Sequence, residues 1–394
     1  MDEQSERKQG DFSVVMISTD PAFAKASAGT GDAVERHRRY AAAVRSLDVV
    51  VLAGSKAETK KTDDHLTLHI VGAKGALAAL RGLAIARRIC TEKKCSLIVT
   101  QDPHLTGWIG ARLKKQFRIP LIVNFHGDFW NNAHWLSEHW SHQIKQWLQR
   151  KIVPQADGIR VVSDGIRRSL LSSGISDERI AVVHTPINDQ AFIDFTEEQK
   201  ILLEKLRYKF EGKFIILFCG RLVAAKNLAL TLDAIDRLRK TRPNIAFLAL
   251  GDGEQRTALE QIVVEKRLQQ VVTFLGALPQ DKISVYYRLA NVLVLLSTNE
   301  SFGKVIIEAG LVGTPSLAST TTGAASIIQD GTTGFLIPIN DVQAAADVLD
   351  EMIEETDQTK QLGQWASEKY REQYASEKTV QRILAFWNKI AART

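Results

Sequence analysis

The sequence predicts an α/β protein built from two doubly wound, mostly parallel sheets. Short apolar runs of parallel-strand type alternate with helix-periodic segments along the whole chain. The alternation occurs twice, on either side of the Pro- and Asn-bearing stretch Thr185-Pro-Ile-Asn-Asp-Gln-Ala-Phe192. A length of 394 residues also exceeds what one hydrophobic core usually organises.

In the first half, strands are expected at Val14 to Ser18, Val49 to Leu52, Thr67 to Val71, Leu97 to Gln101, Pro120 to Phe125, Gly158 to Val162 and Ile180 to Val183, with helices such as Ala76 to Lys93 between them. A polar, helix-prone segment, Glu197 to Lys209, follows the linker. In the second half, strands are expected at Phe214 to Cys219, Ala246 to Leu250, Val271 to Leu275, Val292 to Leu295, Ser316 to Ala318 and Phe335 to Ile337. The last helix, Lys378 to Ile390, carries Val380, Ile383, Leu384, Trp387 and Ile390 at helical spacing, so it needs an apolar partner. The expected divisions are 1–190, 191–375 and 376–394. Ligands of doubly wound sheets bind outside the carboxyl ends of the strands, so the residues there carry the functional argument.

Composition bounds the partners. Hydrophobic content of 45% and charged content of 24% are ordinary for a globular protein, and no low-complexity tract interrupts the chain. No apolar run approaches the roughly 20 residues that span a bilayer, and the first residues lack a signal-peptide core, so a cytoplasmic location is expected. Cys90, Cys95 and Cys219 lack metal-ligand spacing and read as reduced structural thiols. A net charge of +6 favours an anionic partner. Without an RNP motif, a helix-turn-helix signal or a basic arm, nucleic acid is not the expected one.

Glu300 and Glu308 are the most informative residues. Asn291-Val-Leu-Val-Leu-Leu296 reads as a buried strand, Ser-Thr-Asn-Glu as a loop, and Gly303 opens a helix. Glu300 therefore lies in the loop and Glu308 in the second helical turn, on the order of 10 Å away. The N–H groups of Phe302, Gly303 and Lys304 are expected free between them, a row suited to a ligand with hydroxyls at both ends and phosphate in the middle.

Other strand ends add to this. Phe214 to Cys219 runs into Gly220-Arg221 and, one turn later, Lys226; a planar guanidinium and a point-charge ammonium suit a diphosphate, although two solvated charges at a helix start are the alternative. Gly251-Asp252-Gly253 reads first as a structural turn, and second as a site of close backbone approach. Val271 to Gly276 ends beside it, where a flat base could receive backbone hydrogen bonds. In the first half, Pro120 to Phe125 ends in His126-Gly127-Asp128, an imidazole and a carboxylate on a tight turn. The loop containing Gly29-Thr30-Gly31 could bring backbone N–H groups against a phosphate. It fails as a dinucleotide fingerprint, because Val34 stands where a third Gly is needed. Four tryptophans lie between Trp130 and Trp147. In the second part of that segment Trp140, Ile144, Trp147 and Leu148 share a helical face, for which core packing is expected and a membrane or acceptor surface is the alternative.

Taken together, Gly220-Arg221, Lys226 and Glu300-Ser-Phe-Gly-Lys-Val-Ile-Ile-Glu308 resemble the retaining, nucleotide-sugar-dependent glycosyltransferases of group 1, which have the GT-B fold. The resemblance covers Phe214 to about Glu355, including Gly251-Asp-Gly253, Phe274-Leu-Gly276 and Asp330-Gly-Thr-Thr-Gly-Phe335. The first domain matches in rhythm, in the Gly29 loop and in His126. The resemblance implies that Arg221 and Lys226 hold the donor diphosphate, Glu308 the ribose hydroxyls and Glu300 hydroxyls of the transferred sugar. Backbone amides from Phe302, Gly303 and Lys304 would complete the site, with Gly220, Gly253, Gly29 and Gly31 along the donor. It also implies that His126 contacts the transferred sugar and that the last helix returns to the first domain. Two departures stand out: the family's Glu-Gly-Phe-Gly appears as Glu-Ser-Phe-Gly, and its Gly-Gly as Gly-Thr-Gly.

The implied reaction moves a sugar from a UDP- or GDP-sugar to a hydroxyl acceptor with retention, in glycolipid or cell-surface polysaccharide synthesis. Cations of the protein would stand in for a metal, so no metal or other cofactor is expected. The acceptor is expected to be lipid-linked or a saccharide, with peripheral contact to the cytoplasmic membrane face. A sugar-nucleotide epimerase on the same fold, an NAD-dependent oxidoreductase and a non-catalytic binding protein are the rival readings.

Overall fold

The computed structural model describes residues 10–25 and 32–393. The chain divides into two compact units, residues 1–186 together with 377–394, and residues 187–376.

The N-terminal unit is an eight-stranded sheet made of β1 (Gly10–Ser18), β2 (Val44–Val51), β3 (Glu58–Lys61), β4 (Leu66–Ile70), β5 (Leu97–Thr100), β6 (Leu121–Phe125), β7 (Gly158–Val161) and β8 (Ile180–Val182). Their order is β3-β4-β2-β1-β5-β6-β7-β8. The strands read as continuous apolar runs because helices cover both faces: β5, β6 and β7 are buried at every position. Pairing is parallel except between β3 and β4. β3 is absent from the expected strands. Its sequence, Glu-Thr-Lys-Lys, has no apolar alternation, and it lies at the sheet edge, where charged side chains discourage pairing with another chain.

The final helix, Ser376–Ala391, belongs to this unit. Val380, Ile383, Phe386, Trp387 and Ile390 bury their side chains in the core beside β1, β2 and β5. Trp387 meets Tyr40 edge to face at 5.5 Å. Phe386 takes a core place the sequence pattern gave to Leu384, which is only partly buried.

The C-terminal unit is a six-stranded, fully parallel sheet of β9 (Phe214–Cys219), β10 (Ile245–Leu250), β11 (Val272–Gly276), β12 (Val292–Leu295), β13 (Ser316–Ser319) and β14 (Gly334–Ile337), in the order β11-β10-β9-β12-β13-β14. The order reverses between β9 and β12, so the ends of these two strands flank the switch point where such sheets bind ligands. Helix Glu197–Lys209 precedes the sheet and begins with a reciprocal capping box between Thr196 and Gln199.

One expectation is overturned. Trp140, Ile144 and Trp147 do not pack into a core; they are 71%, 53% and 61% exposed. Helix Ser141–Ile152 buries Gln149 and Ile152 instead and packs against helix Leu105–Phe117, which leaves the aromatic face outward. Its sequence neighbours Trp130 and Trp135 are buried. Cys90, Cys95 and Cys219 are free and buried. Among the described residues no helix is long and apolar enough to cross a membrane.

Candidate active site

At the C-terminal unit's switch point, β9 ends in Gly220-Arg221 and a short 3-10 turn, Ala224–Lys226, leads into helix Leu228–Leu238. Thr298 N–H donates to Ala225 O at 3.0 Å, which ties the loop after β12 to this turn. Lys226 and Glu300 then meet in a close ion pair, about four-fifths shielded from water. Arg221 is exposed and makes no ion pair among the described residues.

Glu300 organises its own loop. Its Oε1 accepts from Gly303 N–H at 3.0 Å and Phe302 N–H at 3.3 Å, and its carbonyl accepts from Gly323 N–H at 2.7 Å. The amides of Phe302 and Gly303 are therefore not free, as the sequence suggested. The Glu300 side chain folds back over the helix start and satisfies donors that would otherwise face solvent. Gly303 caps helix Lys304–Leu311 in the left-handed region, with φ of +83°, which a side chain would strain.

Glu308 is buried on that helix. Its carboxylate accepts from Tyr287 O–H at 3.0 Å and pairs with Lys304 Nζ at 3.0 Å. Burial, with Glu308 and Cys219 beside it, pushes the Tyr287 phenol well above its ordinary pKa, so it stays a neutral donor. Burial likewise pushes the Cys219 thiol up to about 12.

Three strand ends close on one another through glycine. Gly251 N–H donates to Gly276 O at 2.8 Å, and Gly220 N–H to Leu250 O at 3.0 Å. A Cβ on Gly251 would lie 1.8 Å from Gly220 O, so only glycine permits this approach. Leu222 N–H donates to Asp252 O at 2.9 Å, which places Gly253 next to the Arg221 loop.

In the N-terminal unit, His126 stands beyond β6. Its Nε2 donates to Gln101 Oε1 at 2.5 Å, and its Nδ1 lies 3.4 Å from Thr185 Oγ1. Crowding around the ring, and then the positive charges of Arg160 and Arg36, hold it well below the usual imidazole pKa, although its side chain reaches solvent. A small cavity of mixed character beside it is lined by Arg36, His37, Asn124 and Arg160 on one hand and Met16, Ile383 and Trp387 on the other. His37 Nδ1 donates to Ala33 O at 2.6 Å, and burial, followed by Arg36, brings its pKa down to about 3. Burial lowers Arg160 to about 10, and its guanidinium donates to Val183 O and His184 O. Gly29 and Gly31 lie outside the described residues. Among the described residues no group of three or more His, Cys, Asp or Glu is placed to hold a metal ion.

Residues 203–369 match the family model described as glycosyl transferases group 1, and residues 31–186 match the glycosyl transferase 4-like domain. The chain belongs to the group 1 glycosyltransferases. A curated relative is the alpha-D-kanosaminyltransferase of Streptomyces kanamyceticus, 26% identical over 252 residues, which is 63% of this chain and 65% of the relative. Among solved structures, sucrose-phosphate synthase from Thermosynechococcus elongatus superposes with a TM-score of 0.81 at 21% identity, covering 97% of this chain and all of that one. Anabaena HepE, solved in complex with UDP-glucose, superposes at 0.75 and 19% identity, over 96% of this chain and all of its own. The fold is GT-B.

Within this glycosyltransferase, the structure brings Lys226, Glu300, Phe302 and Gly303 into direct contact and puts Lys304 against Glu308. Arg221 shares the loop with Lys226 without touching Glu300. The sequence reading missed Tyr287 and Gly323. Tyr287 is one of two adjacent tyrosines on an amphipathic helix, Gln280–Leu289, and nothing in its spacing separates a support for Glu308 from a core residue. Gly323 sits in a Thr-Thr-Gly-Ala-Ala run that reads only as a turn.

Proposed function

We propose that this glycosyltransferase moves a sugar from a UDP- or GDP-sugar to a hydroxyl acceptor, retaining the anomeric configuration and using protein cations in place of a metal. The observation that carries this is the shielded Lys226–Glu300 pair beside exposed Arg221 and the start of helix Lys304–Leu311. The superposition on a protein solved with UDP-glucose supports the donor class.

A donor diphosphate next to Lys226 competes with Glu300 for the ammonium. When the phosphate takes Lys226, the Glu300 carboxylate is released to accept hydroxyls of the transferred sugar, so one binding event arms both groups. Glu308, held by Tyr287 and Lys304, takes the ribose hydroxyls. His126 is assigned a hydroxyl of the sugar. In the reaction the bond from the anomeric carbon to the diphosphate oxygen breaks, and its electron pair stays on the phosphate. The acceptor oxygen bonds to the same face of that carbon, and its proton passes to the departing phosphate oxygen. Arg221 and Lys226 oppose the charge that develops there. One such preorganised group is worth roughly 3 kcal/mol of transition-state stabilisation. The acceptor is a saccharide or lipid-linked hydroxyl in glycolipid or cell-surface polysaccharide synthesis, met at the membrane surface.

Calorimetry with UDP, GDP and their sugars should give saturable binding to one base, and donor turnover should survive chelation of divalent ions. Failure of every nucleoside diphosphate to bind at millimolar concentration would remove this reading. Proton NMR of the product tests retention: an inverted anomeric centre refutes the front-face route.

A further inference from the structure

We infer that helix Ser141–Ile152, with the neighbouring helix Leu105–Phe117, forms a docking face for an anionic lipid bilayer. This deepens the membrane contact in the proposed function and is independent of the donor assignment.

At about 100° per residue, Trp140, Ile144, Trp147 and Lys151 fall within about 60° of one another around the helix, opposite the buried Gln149. The three apolar side chains are more than half exposed, and Lys151 is exposed at the end of their stripe. Two outward tryptophans, two turns apart on one helix face, each carry an amphipathic ring whose preferred medium is the boundary between headgroups and acyl chains. A protein groove would cover the same rings, so charge decides the occupant.

Residues 105–118 and 139–152, which comprise these two packed helices and their ends, contain seven Lys and Arg and no Asp or Glu. The helix then runs into residues 154–157, which line a surface cleft shared with Lys114, Lys115, Arg118, Arg179 and Arg393; its one carboxylate, Asp157, is engaged by Lys114. The bias extends to the whole unit. Residues 1–186 and 377–394 hold 31 Lys and Arg against 20 Asp and Glu, while residues 187–376 hold 20 against 25. The chain's +6 is thus +11 in one unit and −5 in the other. A surface that combines outward aromatics with a dense excess of positive charge matches the anionic leaflet. An acidic protein partner would match the charge but gives no reason for an unpocketed tryptophan pair.

The test is sedimentation with vesicles of phosphatidylcholine alone and of equal parts phosphatidylcholine and phosphatidylglycerol. The full chain should bind the anionic vesicles at least ten-fold more tightly, with a blue shift in tryptophan emission and loss of binding at high salt. Trp140→Ser with Trp147→Ser should abolish the shift and reduce binding ten-fold or more on both lipids. Lys115→Gln with Lys151→Gln should remove most of the anionic preference, roughly five-fold per charge, the equivalent of about 1 kcal/mol each. All four positions are surface sites outside the proposed donor site, so donor hydrolysis in the absence of lipid should be unchanged; a parallel loss of hydrolysis would signal misfolding and is resolved by comparing melting curves. Equal binding by wild type and the tryptophan variant would overturn the inference. So would a concentration-dependent dimer that disappears in that variant, since a second copy would then be the occupant.

Discussion

The two units of this glycosyltransferase have the same architecture and opposite chemistry. All nine histidines and six of the seven tryptophans lie in residues 1–186 and 377–394, and residues 187–376 contain no histidine. The N-terminal unit buries His37 on a helix and Arg160 on β7, and is strongly basic. The C-terminal unit gathers its candidate groups in short loops and one helix start at one switch point, and is acidic overall. A doubly wound sheet dictates where ligands bind but not what is recognised; that depends on which side chains the loops and helices carry.

Acid should separate the units most. His37 has a folded pKa of about 3, below its unfolded value of 6.5. The unfolded chain therefore takes the proton first, so the stabilisation is complete above pH 6.5 and is lost as the pH falls from 6.5 toward 3. At about 1.4 kcal/mol per pKa unit the loss is at most about 5 kcal/mol, and half-buried His104, brought down to about 4, adds to it in the same direction. Hydrogen exchange across this range should show β1 to β8 losing protection before β9 to β14. Replacing His37 by Phe should flatten the pH dependence; an unchanged slope would mean that the imidazole is not the titrating group.

The next effect belongs to the C-terminal unit. Lys226→Met removes the proposed phosphate contact and leaves Glu300 with backbone amides alone, so kcat should fall about 10²- to 10³-fold. The double change Lys226→Met with Glu300→Gln removes the unpaired charge and should recover melting temperature but not turnover. Recovery of both would assign Lys226 a structural role only.

Gly251→Ala should cost about 3 kcal/mol of stability, because the added methyl meets Gly220 O and the residue holds φ of +132°. Denaturant melts should place this loss in the C-terminal unit, with the N-terminal unit unfolding as before. A loss below about 1 kcal/mol would show that the three strand ends can separate.

The same contrast governs what could be read from the sequence. β9 spans its whole apolar run and β12 all but the last residue, Leu296, of its own, because a buried parallel strand needs an unbroken apolar run and its ends are marked by glycine or polar loops. The placement of Lys226, Glu300 and Glu308 just beyond these strands was legible because apolar runs mark where a buried parallel strand stops. What stayed hidden was partner choice. Folding Glu300 back onto the amides of Phe302 and Gly303 depends on loop geometry, not spacing. The outward turn of Trp140 and Trp147 was equally hidden, since helical periodicity identifies an apolar face without saying whether anything covers it. β3 was missed for the converse reason, being held by β4 without any apolar signal of its own.

The smallest effect tests whether Tyr287 supports Glu308. Tyr287→Phe keeps the ring that packs near Phe192 and removes only the O–H that donates to Glu308. A hydrogen bond to a carboxylate contributes about 1.5 to 3 kcal/mol, but Lys304 still holds the other carboxylate oxygen, so the lower end applies and KM for the donor should rise about ten-fold with kcat nearly constant. Because the two residues act through one contact, the change should be small in a Glu308→Ala background, where there is no carboxylate to orient. Full additivity of the two substitutions would detach Tyr287 from the donor site and leave it as a core residue with a satisfied hydroxyl.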